Sequence, residues 1–364
     1  SIAVAEDGTI CVAYYDFRNT PSGSSQLLTD RFAVFCHPSS STPFSSPGSW
    51  GNEIRLTPVS FDFHLAPYSD QGLMVGDYMH MEAIGNDFLD VFGVTTAENP
   101  SLIVARRMTR LVRADFNGDG FSDLLFQNPS TGQLAIWYMN GPEATSGALI
   151  SPTQNPAWKA VGVADFDGDG QPDILFQNPT TGQLAIWYLS GGTVTGAAFV
   201  TPSQDPAWKS VGVLDQPTPG QPLLFFQNSS TGQLALWTMN NNTATGGALI
   251  SPTQSPGWRA VGVGEFNRDW QPDILFQNSS TGQLAIWYLR GSTAIGGGLV
   301  TPTQDPAWQA VGVADMNGDG APDVIFQNTA TGQLAVWYMK DNTVLGADYV
   351  QPSQDPAWRL VGPR

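Results

Sequence analysis

Positive charge is what this sequence has least of: 15 Lys and Arg stand against 32 Asp and Glu, a formal net charge of −17 over 364 residues. That balance excludes a broad basic face of the kind that grips nucleic acid or an anionic membrane surface. Charged residues make up only 13% of the chain and hydrophobic residues 41%, so a disordered acidic polymer is excluded as well. No run approaches the roughly 18 continuous apolar residues of a membrane-spanning helix. The opening SIAVAEDGT lacks the basic start and apolar run of a signal peptide, and the chain reads as mature or trimmed. Cysteine is scarce too. Cys11 in TICVAYYDFR and Cys36 in RFAVFCHP fall near the start of one expected strand and the end of the next, which leaves a disulfide across a hairpin and two buried thiols both open.

What the chain has in abundance is turn chemistry and repetition. It holds 39 Gly and 27 Pro, and its second part aligns with itself in rows of 50 residues without one insertion. TGQLAIWY recurs as TGQLALWT and TGQLAVWY, setting Trp137, Trp187, Trp237, Trp287 and Trp337 in register. The run from NPAWKAVGV to DPAWRLVGP does the same for Trp158, Trp208, Trp258, Trp308 and Trp358. Each unit contains four short strand-like runs, WKAVGVADF, DILFQN, QLAIWYL and GAAFVT, separated by Gly, Pro, Asn, Asp and Ser clusters. In QLAIWYL both alternating faces are apolar, Leu184, Ile186 and Tyr188 on one and Ala185 and Trp187 on the other, as in a sheet packed on both sides. A 50-residue period with four strands fits the blade of a β-propeller better than a solenoid coil.

Five such blades fit between about Leu111 and Gln354. The first 110 residues leave the 50-residue ruler but hold seven strand-like stretches, from SIAVAED to SLIVARRM, nearly two more blades. The expectation is therefore all-β: one seven-bladed β-propeller of four-stranded antiparallel blades, with two divergent blades over 1–110 and five repeats over 111–364. The final WRLVGPR starts a sixth unit and stops, so it is expected to complete a sheet begun elsewhere.

Three repeats carry the same oxygen-rich decapeptide: ADFNGDGFSD at 114–123, ADFDGDGQPD at 164–173 and ADMNGDGAPD at 314–323. Counted from the first Asp, side-chain oxygens stand at positions 1, 3, 5 and 9. They are Asp115, Asn117, Asp119 and Asp123, then Asp165, Asp167, Asp169 and Asp173, then Asp315, Asn317, Asp319 and Asp323. Carboxylates crowded this closely repel one another unless a cation sits among them, and an oxygen-only set without His or Cys favours Ca²⁺ over a transition metal. The residue at position 7, Phe121, Gln171 or Ala321, would add a backbone carbonyl. An Asx-rich turn without metal is the alternative. In the third repeat LDQPTPGQPL keeps Asp215 but has Pro217, Pro219 and Leu223 at the other ligand positions, so it is expected to be empty. In the fourth, Glu265, Asn267, Asp269 and Asp273 keep oxygens but Trp270 replaces the turn glycine, a weaker candidate for a fourth site.

VGVADFDGDGQPDILFQN resembles the FG-GAP repeat, the blade of integrin-α-type and fungal-lectin-type seven-bladed propellers. The resemblance implies that the Asp-rich loop between the first two strands holds Ca²⁺. It departs from the integrin branch at FQN, where that branch carries Gly-Ala-Pro, so integrin-like partners are not implied. AVAEDGTICVAYYDFRN and MVGDYMHMEAIGNDFLDVF are similar, more weakly, to blades of bacterial sialidase-like propellers, and FSSPGSWGNEIRLT looks like an eroded Asp-box without its Asp. No sialidase catalytic residue is carried over.

In a four-stranded meander the metal loops share one end with YLSGGTVTG, while QNPTTGQ and TPSQDPAW meet at the other. That second end repeats Gln177, Asn178, Thr181, Gln183 and Trp208, then Gln227, Asn228 and Trp258, then Gln277, Asn278 and Trp308. Planar amides can bond adjacent sugar hydroxyls and an indole can stack on a sugar ring, so the set suits carbohydrate; turn chemistry and blade wedging are the structural alternative. The repeats have no His and no Cys, and acid–base candidates are confined to His37, His64, His80, Asp62, Asp77, Glu82 and Asp90, at no diagnostic spacing. No catalytic residue is assigned. The leading expectation is a secreted or cell-surface, Ca²⁺-stabilised, multivalent lectin-like module binding glycans or glycoproteins. A sialidase-like glycoside hydrolase and a protein-interaction scaffold are the alternatives.

Overall fold

A computed structural model describes residues 1–5, 10–36, 50–57, 59–70, 72–75, 79–84, 87–108, 113–216, 220–267 and 271–364. The chain divides into two compact units, Ser1–Arg110 and Leu111–Arg364.

In the first unit all seven expected strands form, in two antiparallel meanders. Ile2–Val4, Ile10–Asp16, Leu28–Cys36 and Trp50–Arg55 make one sheet, and His80–Ile84, Asp87–Val94 and Leu102–Met108 the other. Their alternating inward residues, among them Ala13, Ala33, Phe88, Phe92 and Met108, build one core. Beside it Arg31 is buried against Asp90, Nε to Oδ2 2.8 Å, with its guanidinium over the rings of Tyr15 and Phe92. The two cysteines do lie on one hairpin, but Cys11 pairs with Phe35 and Cys36 with Ile10. Successive side chains on a strand point to opposite faces, so this register turns the two sulfurs away from each other. Both are buried free thiols, and burial pushes Cys11 up to about 12.

The second unit consists of five four-stranded antiparallel sheets. Blade 2 runs Lys159–Ala164, Asp173–Gln177, Leu184–Ser190 and Thr193–Phe199 from inside to outside. Blades 3, 4 and 5 repeat it from Trp208–Leu214, Trp258–Gly264 and Trp308–Ala314 outward. Blade 1 takes its outer three strands, Leu124–Gln127, Leu134–Asn140 and Glu143–Ile150, from the beginning of the unit and its innermost, Arg359–Gly362, from the end. The last strand thus completes the first blade. Within each blade a Phe packs at a steep angle against the register Trp, with ring centroids 4.8–5.0 Å apart and interplanar angles of 57–65°.

This circle closes at five blades, not at the expected seven. The innermost strands touch in cyclic order, including Arg359–Gly362 against both Lys159–Ala164 and Trp308–Ala314. One apolar cluster fills each of the five interfaces, and the one between blades 5 and 1 joins Val311, Ile325 and Val336 to Leu124, Phe126 and Leu360. On the outside, Gln351 bridges to Glu143 just as Thr201 bridges to Thr243. The repeats therefore need no sheet from residues 1–110 to complete the ring.

A glutamine ties each blade to the next. Gln127, Gln177, Gln227, Gln277 and Gln327 donate from Nε2 to the carbonyls of Trp158, Trp208, Trp258, Trp308 and Trp358 at 2.8–3.0 Å. Their Oε1 atoms accept the N–H groups of Ala160, Ser210, Ala260, Ala310 and Leu360 at 2.9–3.1 Å. At the axis, glycine lets the inner strands meet, since a Cβ on Gly162 would stand 2.5 Å from Cγ2 of Val213. The chain itself fills the bore. Arg113 donates to the carbonyls of Val213 (2.8 Å), Val263 (2.6 Å) and Val313 (3.3 Å), while Val213 and Val313 donate their N–H groups to the carbonyls of Arg364 and Pro363.

Replacing Gln277 by Leu leaves the Trp308 carbonyl and the Ala310 amide without partners, at about 1–3 kcal/mol each. Thermal denaturation is expected to show that loss in one cooperative transition. An unchanged melting temperature would remove the glutamine from the account of blade cohesion.

Candidate functional site

The Asp-rich loops leave the inner strands at one end of the ring. In blade 2, Asp165, Asp167 and Asp173 each bring a carboxylate oxygen to within 4.8 Å of the others, which no other acidic trio among the described residues does. Two glycines shape the loop: Oδ1 of Asp165 accepts the Gly168 amide at 2.7 Å and Oδ2 the Gly170 amide at 3.1 Å. The loops of blades 1 and 5 fold the same way, with Asp115 accepting from Gly118 and Gly120 and Asp315 from Gly318 and Gly320. There Asn117 and Asn317 donate to Asp119 and Asp319 at 2.8 and 3.1 Å. At position 7 the amides of Phe121, Gln171 and Ala321 are held by the carboxylates of Asp119, Asp169 and Asp319.

Position 9 has a second task that spacing alone does not reveal. Asp123 is fully buried and accepts two main-chain amides, Phe116 at 2.8 Å and Met139 at 2.9 Å. Asp173, Asp273 and Asp323 repeat the pattern on Phe166 and Leu189, Phe266 and Leu289, and Met316 and Met339. These carboxylates pin the loop to the third strand of their own blade. Burial, reinforced by the neighbouring carboxylates, pushes Asp123 and Asp173 up to about 7 and Asp323 to about 9, and it raises Asp115 and Asp165 as well. An all-oxygen set that resists carrying its own charge fits a hard divalent cation, which would be held by Asp165, Asp167 and Asp173.

Blade 3 has lost the loop and found another way to be tied. Where position 9 is Leu223, the amide of Met239 bonds the Pro222 carbonyl at 3.0 Å. Asp215 accepts the Asp165 amide of blade 2 at 3.0 Å; burial raises it to about 6, with the charge of Arg113 offsetting part of that and the charge of Asp165 adding to it. Its expected ligand positions Pro217 and Pro219 lie outside the described residues, as does Asp269 of blade 4. Asp273 keeps its capping role there, and Glu265 and Asn267 flank it.

At the opposite end, the expected sugar-binding amides are committed elsewhere. Gln177, Gln227 and Gln277 are 3%, 7% and 5% exposed and use both ends of the amide between blades, so they are corrected from ligand contacts to structural brackets. Asn178, Asn228 and Asn278 cap their turns, each Oδ1 accepting two amides; that of Asn178 takes Thr180 and Thr181. The main-chain N–H of Gln183 donates to Oγ1 of Thr181 at 3.3 Å. In the same turn Gly182 has φ +77°, and a Cβ there would meet the Gln204 carbonyl at 2.0 Å, which brings the turn against the linker of the next blade. Trp208, Trp258 and Trp308 are half-buried on this end, as are Trp158 and Trp358.

Of the acid–base candidates in the first unit, Asp62 and His64 meet at the surface, and no third described candidate joins them. His64 is half-exposed, its Nδ1 3.4 Å from Asp62, while His80 and Glu82 are exposed on their strand and Asp90 is locked to Arg31. His37, Asp77 and the first six residues of FSSPGSWGNEIRLT lie outside the described residues.

The FG-GAP-like repeat family matches residues 115–176 and 265–326, about a third of the chain, and both matches begin at the first residue of a loop. The chain thus carries FG-GAP-like repeats on a propeller fold. No curated protein matches it in sequence. Among solved structures it is similar to a protein of unknown function from Bacteroides caccae at 10% identity and TM-score 0.37, covering 62% of this chain and 72% of that one. A nidogen/laminin complex follows at 12% identity and TM-score 0.37, covering 62% and 92%, and the propeller of Dos1 at 9% and 0.31, covering 84% and 77%.

Metal-free, the raised carboxylates take up protons in the folded state that the unfolded chain, at 3.8, has already lost, so stability is expected to fall as pH climbs from about 4 through 7 to 9. A cation binds the ionised form, and the rise in melting temperature on adding calcium is expected to be larger at pH 8 than at pH 5. Asp167→Asn should abolish most of that rise while leaving the chelated protein unchanged, whereas Asp173→Ala should destabilise the chelated protein by about 2–3 kcal/mol through its lost amide bonds. Scanning calorimetry with calcium and with chelator separates the two roles.

Proposed function

We propose that the five-bladed ring is a calcium-stiffened, multivalent binding scaffold that takes carbohydrate on its tryptophan end, outside the cell or at its surface. What supports the reading is a repeated pattern of exposure, with a ring contact in two blades. Each half-buried tryptophan of the series Trp158 to Trp358 accompanies an exposed apolar residue on the outer strand, Leu149, Phe199, Leu249, Leu299 or Tyr349, at 54–66% exposure. Trp158 packs on Phe199 with ring centroids 6.0 Å apart, and Trp308 on Tyr349 at 6.1 Å. A row of apolar edges facing water, repeated around a circle, is suited to the CH faces of sugar rings. Five equivalent weak sites give avidity on a repeating ligand without high affinity at any one. The polar part of recognition falls to exposed linker residues such as Asp205, Asp305 and Asp355, because the glutamines are engaged between blades. That same engagement favours a protein partner as the second reading. Calcium at about 100 times its dissociation constant would stabilise a filled loop by about 2.7 kcal/mol.

Binding to a glycan array with calcium and with chelator tests the proposal. Phe199→Ala and Tyr349→Ala remove exposed rings without emptying the core, and are expected to lower avidity for a polyvalent glycan about tenfold at unchanged melting temperature. Absence of glycan binding in both conditions would exclude the carbohydrate reading.

A further inference from the structure

Set beside the loop of blade 2, the loop of blade 3 differs at every residue between its first Asp and its turn glycine: Phe166, Asp167, Gly168 and Asp169 correspond to Gln216, Pro217, Thr218 and Pro219. Asp215 and Gly220, at either end of that stretch, are kept. Position 9 is Leu223, so the loop lacks the carboxylates to hold a cation of its own. What the two kept residues share is a neighbour: both touch the loop of blade 2.

In blades 1, 2 and 5 the first Asp turns inward, and Asp115, Asp165 and Asp315 each accept amides of their own loop. Asp215 instead reaches across the blade boundary, its Oδ1 accepting the main-chain N–H of Asp165 at 3.0 Å. Gly220, at φ +70°, lays its backbone against the same loop. A Cβ there would stand 3.3 Å from the Phe166 carbonyl oxygen and 3.4 Å from the carbonyl carbon of Asp167 and the nitrogen of Gly168. A Cβ on Gly170, the same repeat position in blade 2, would meet nothing within 4 Å, so blade 2 does not lean on blade 1 as blade 3 leans on blade 2. The carbonyl of Gly220 accepts the Asn241 amide at 2.8 Å, and Oδ1 of Asn241 accepts the hydroxyl of Tyr188 from blade 2. Asp215 and Gly220 thus brace the segment that carries Asp165 and Asp167, and Asn241 holds the brace.

We propose that Asp215 is a positioning residue for the cation site of blade 2, and that the loop of blade 3 serves its neighbour's ligands in place of a site of its own. This role rests on the reading of Asp165, Asp167 and Asp173 as cation ligands. A cation gathers carboxylates from residues whose backbone must be ordered, and that ordering weakens binding unless other contacts have already supplied it. Asp215 supplies it at the first ligand: it holds the peptide N–H of Asp165 and leaves the Asp165 carboxylate to its own loop and the cation. Groups that orient a ligand from outside the coordination sphere typically change metal affinity by about 10–100-fold.

Two measurements test the brace, one without metal and one with it. Residue-resolved amide hydrogen exchange of the full chain in chelator is expected to show the Asp165 amide exchanging about tenfold faster or more in Asp215→Ala, with the Gly118 and Gly318 amides of the other loops unchanged. Asp215→Asn, which keeps an acceptor oxygen, should restore protection. Calorimetric calcium titration then uses an Asp115→Asn/Asp315→Asn background that disables the loops of blades 1 and 5. There Asp215→Ala is expected to weaken binding about tenfold and Asp215→Asn to recover it to within about twofold. Unchanged protection of the Asp165 amide in Asp215→Ala, or unchanged calcium affinity, overturns the positioning role. If the background chain binds no calcium while Asp215→Ala still releases the Asp165 amide, the cation reading fails and Asp215 is a joint between blades alone.

Discussion

A side-chain amide offers donors on one atom and an acceptor on another, and in this protein five glutamines use both to hold the innermost strand of the neighbouring blade. The constraint behind this is general: the inner edge of every blade presents main-chain groups that cannot be left dry and unpaired. A propeller has as many such edges as blades. Here the glutamines satisfy the tryptophan end, Arg113 satisfies carbonyls of three blades in the bore, and residues 363–364 satisfy amides of two. Apolar packing between blades fills the volume, but these polar ties set the angle at which one blade follows another.

The acidic loops are subordinate to that frame, and they also serve it. Asp123, Asp173, Asp273 and Asp323 clamp loop to sheet by two amide bonds each, whether or not the rest of the loop is equipped for a cation. Blade 3 shows what remains when that residue is lost: the Pro222 carbonyl takes the amide of Met239. A cation held by Asp165, Asp167 and Asp173 would be added to a joint that already exists, and its main effect would be to make ionised carboxylates tolerable where burial resists them.

Strands and their period were legible because alternation in runs such as QLAIWYL is apolar on both faces, which only a sheet packed on each side requires. The same reading found the seven longer strands of the first unit and missed the two-residue strands Phe61–Asp62, Tyr68–Ser69 and Gly72–Leu73, too short to carry an alternation. It miscounted the ring, because counting strands says how many sheets form and nothing about which edge closes on which. The clue stood in the sequence: the first repeat has RLVRADF ahead of its loop where the others have a tryptophan and Val-Gly-Val, and the missing run is the WRLVGP at the far end. The glutamines misled for a related reason, since an amide facing a ligand and an amide facing a backbone edge have the same spacing. Their retention in blade 3, beside a loop stripped of its acids, points to architecture. The cysteines were placed on the right hairpin, but the choice between faces rests on a one-residue register that composition does not carry.

Pairing Arg359–Gly362 with Leu124–Gln127 also orders events during synthesis. Blades 2 to 5 are built from neighbouring segments and can assemble as they leave the ribosome. The first blade waits, with one edge open, until more than two hundred further residues have been translated. Until then its exposed strand is a template for any stray segment, and a nascent chain held at that stage depends on chaperones or on speed.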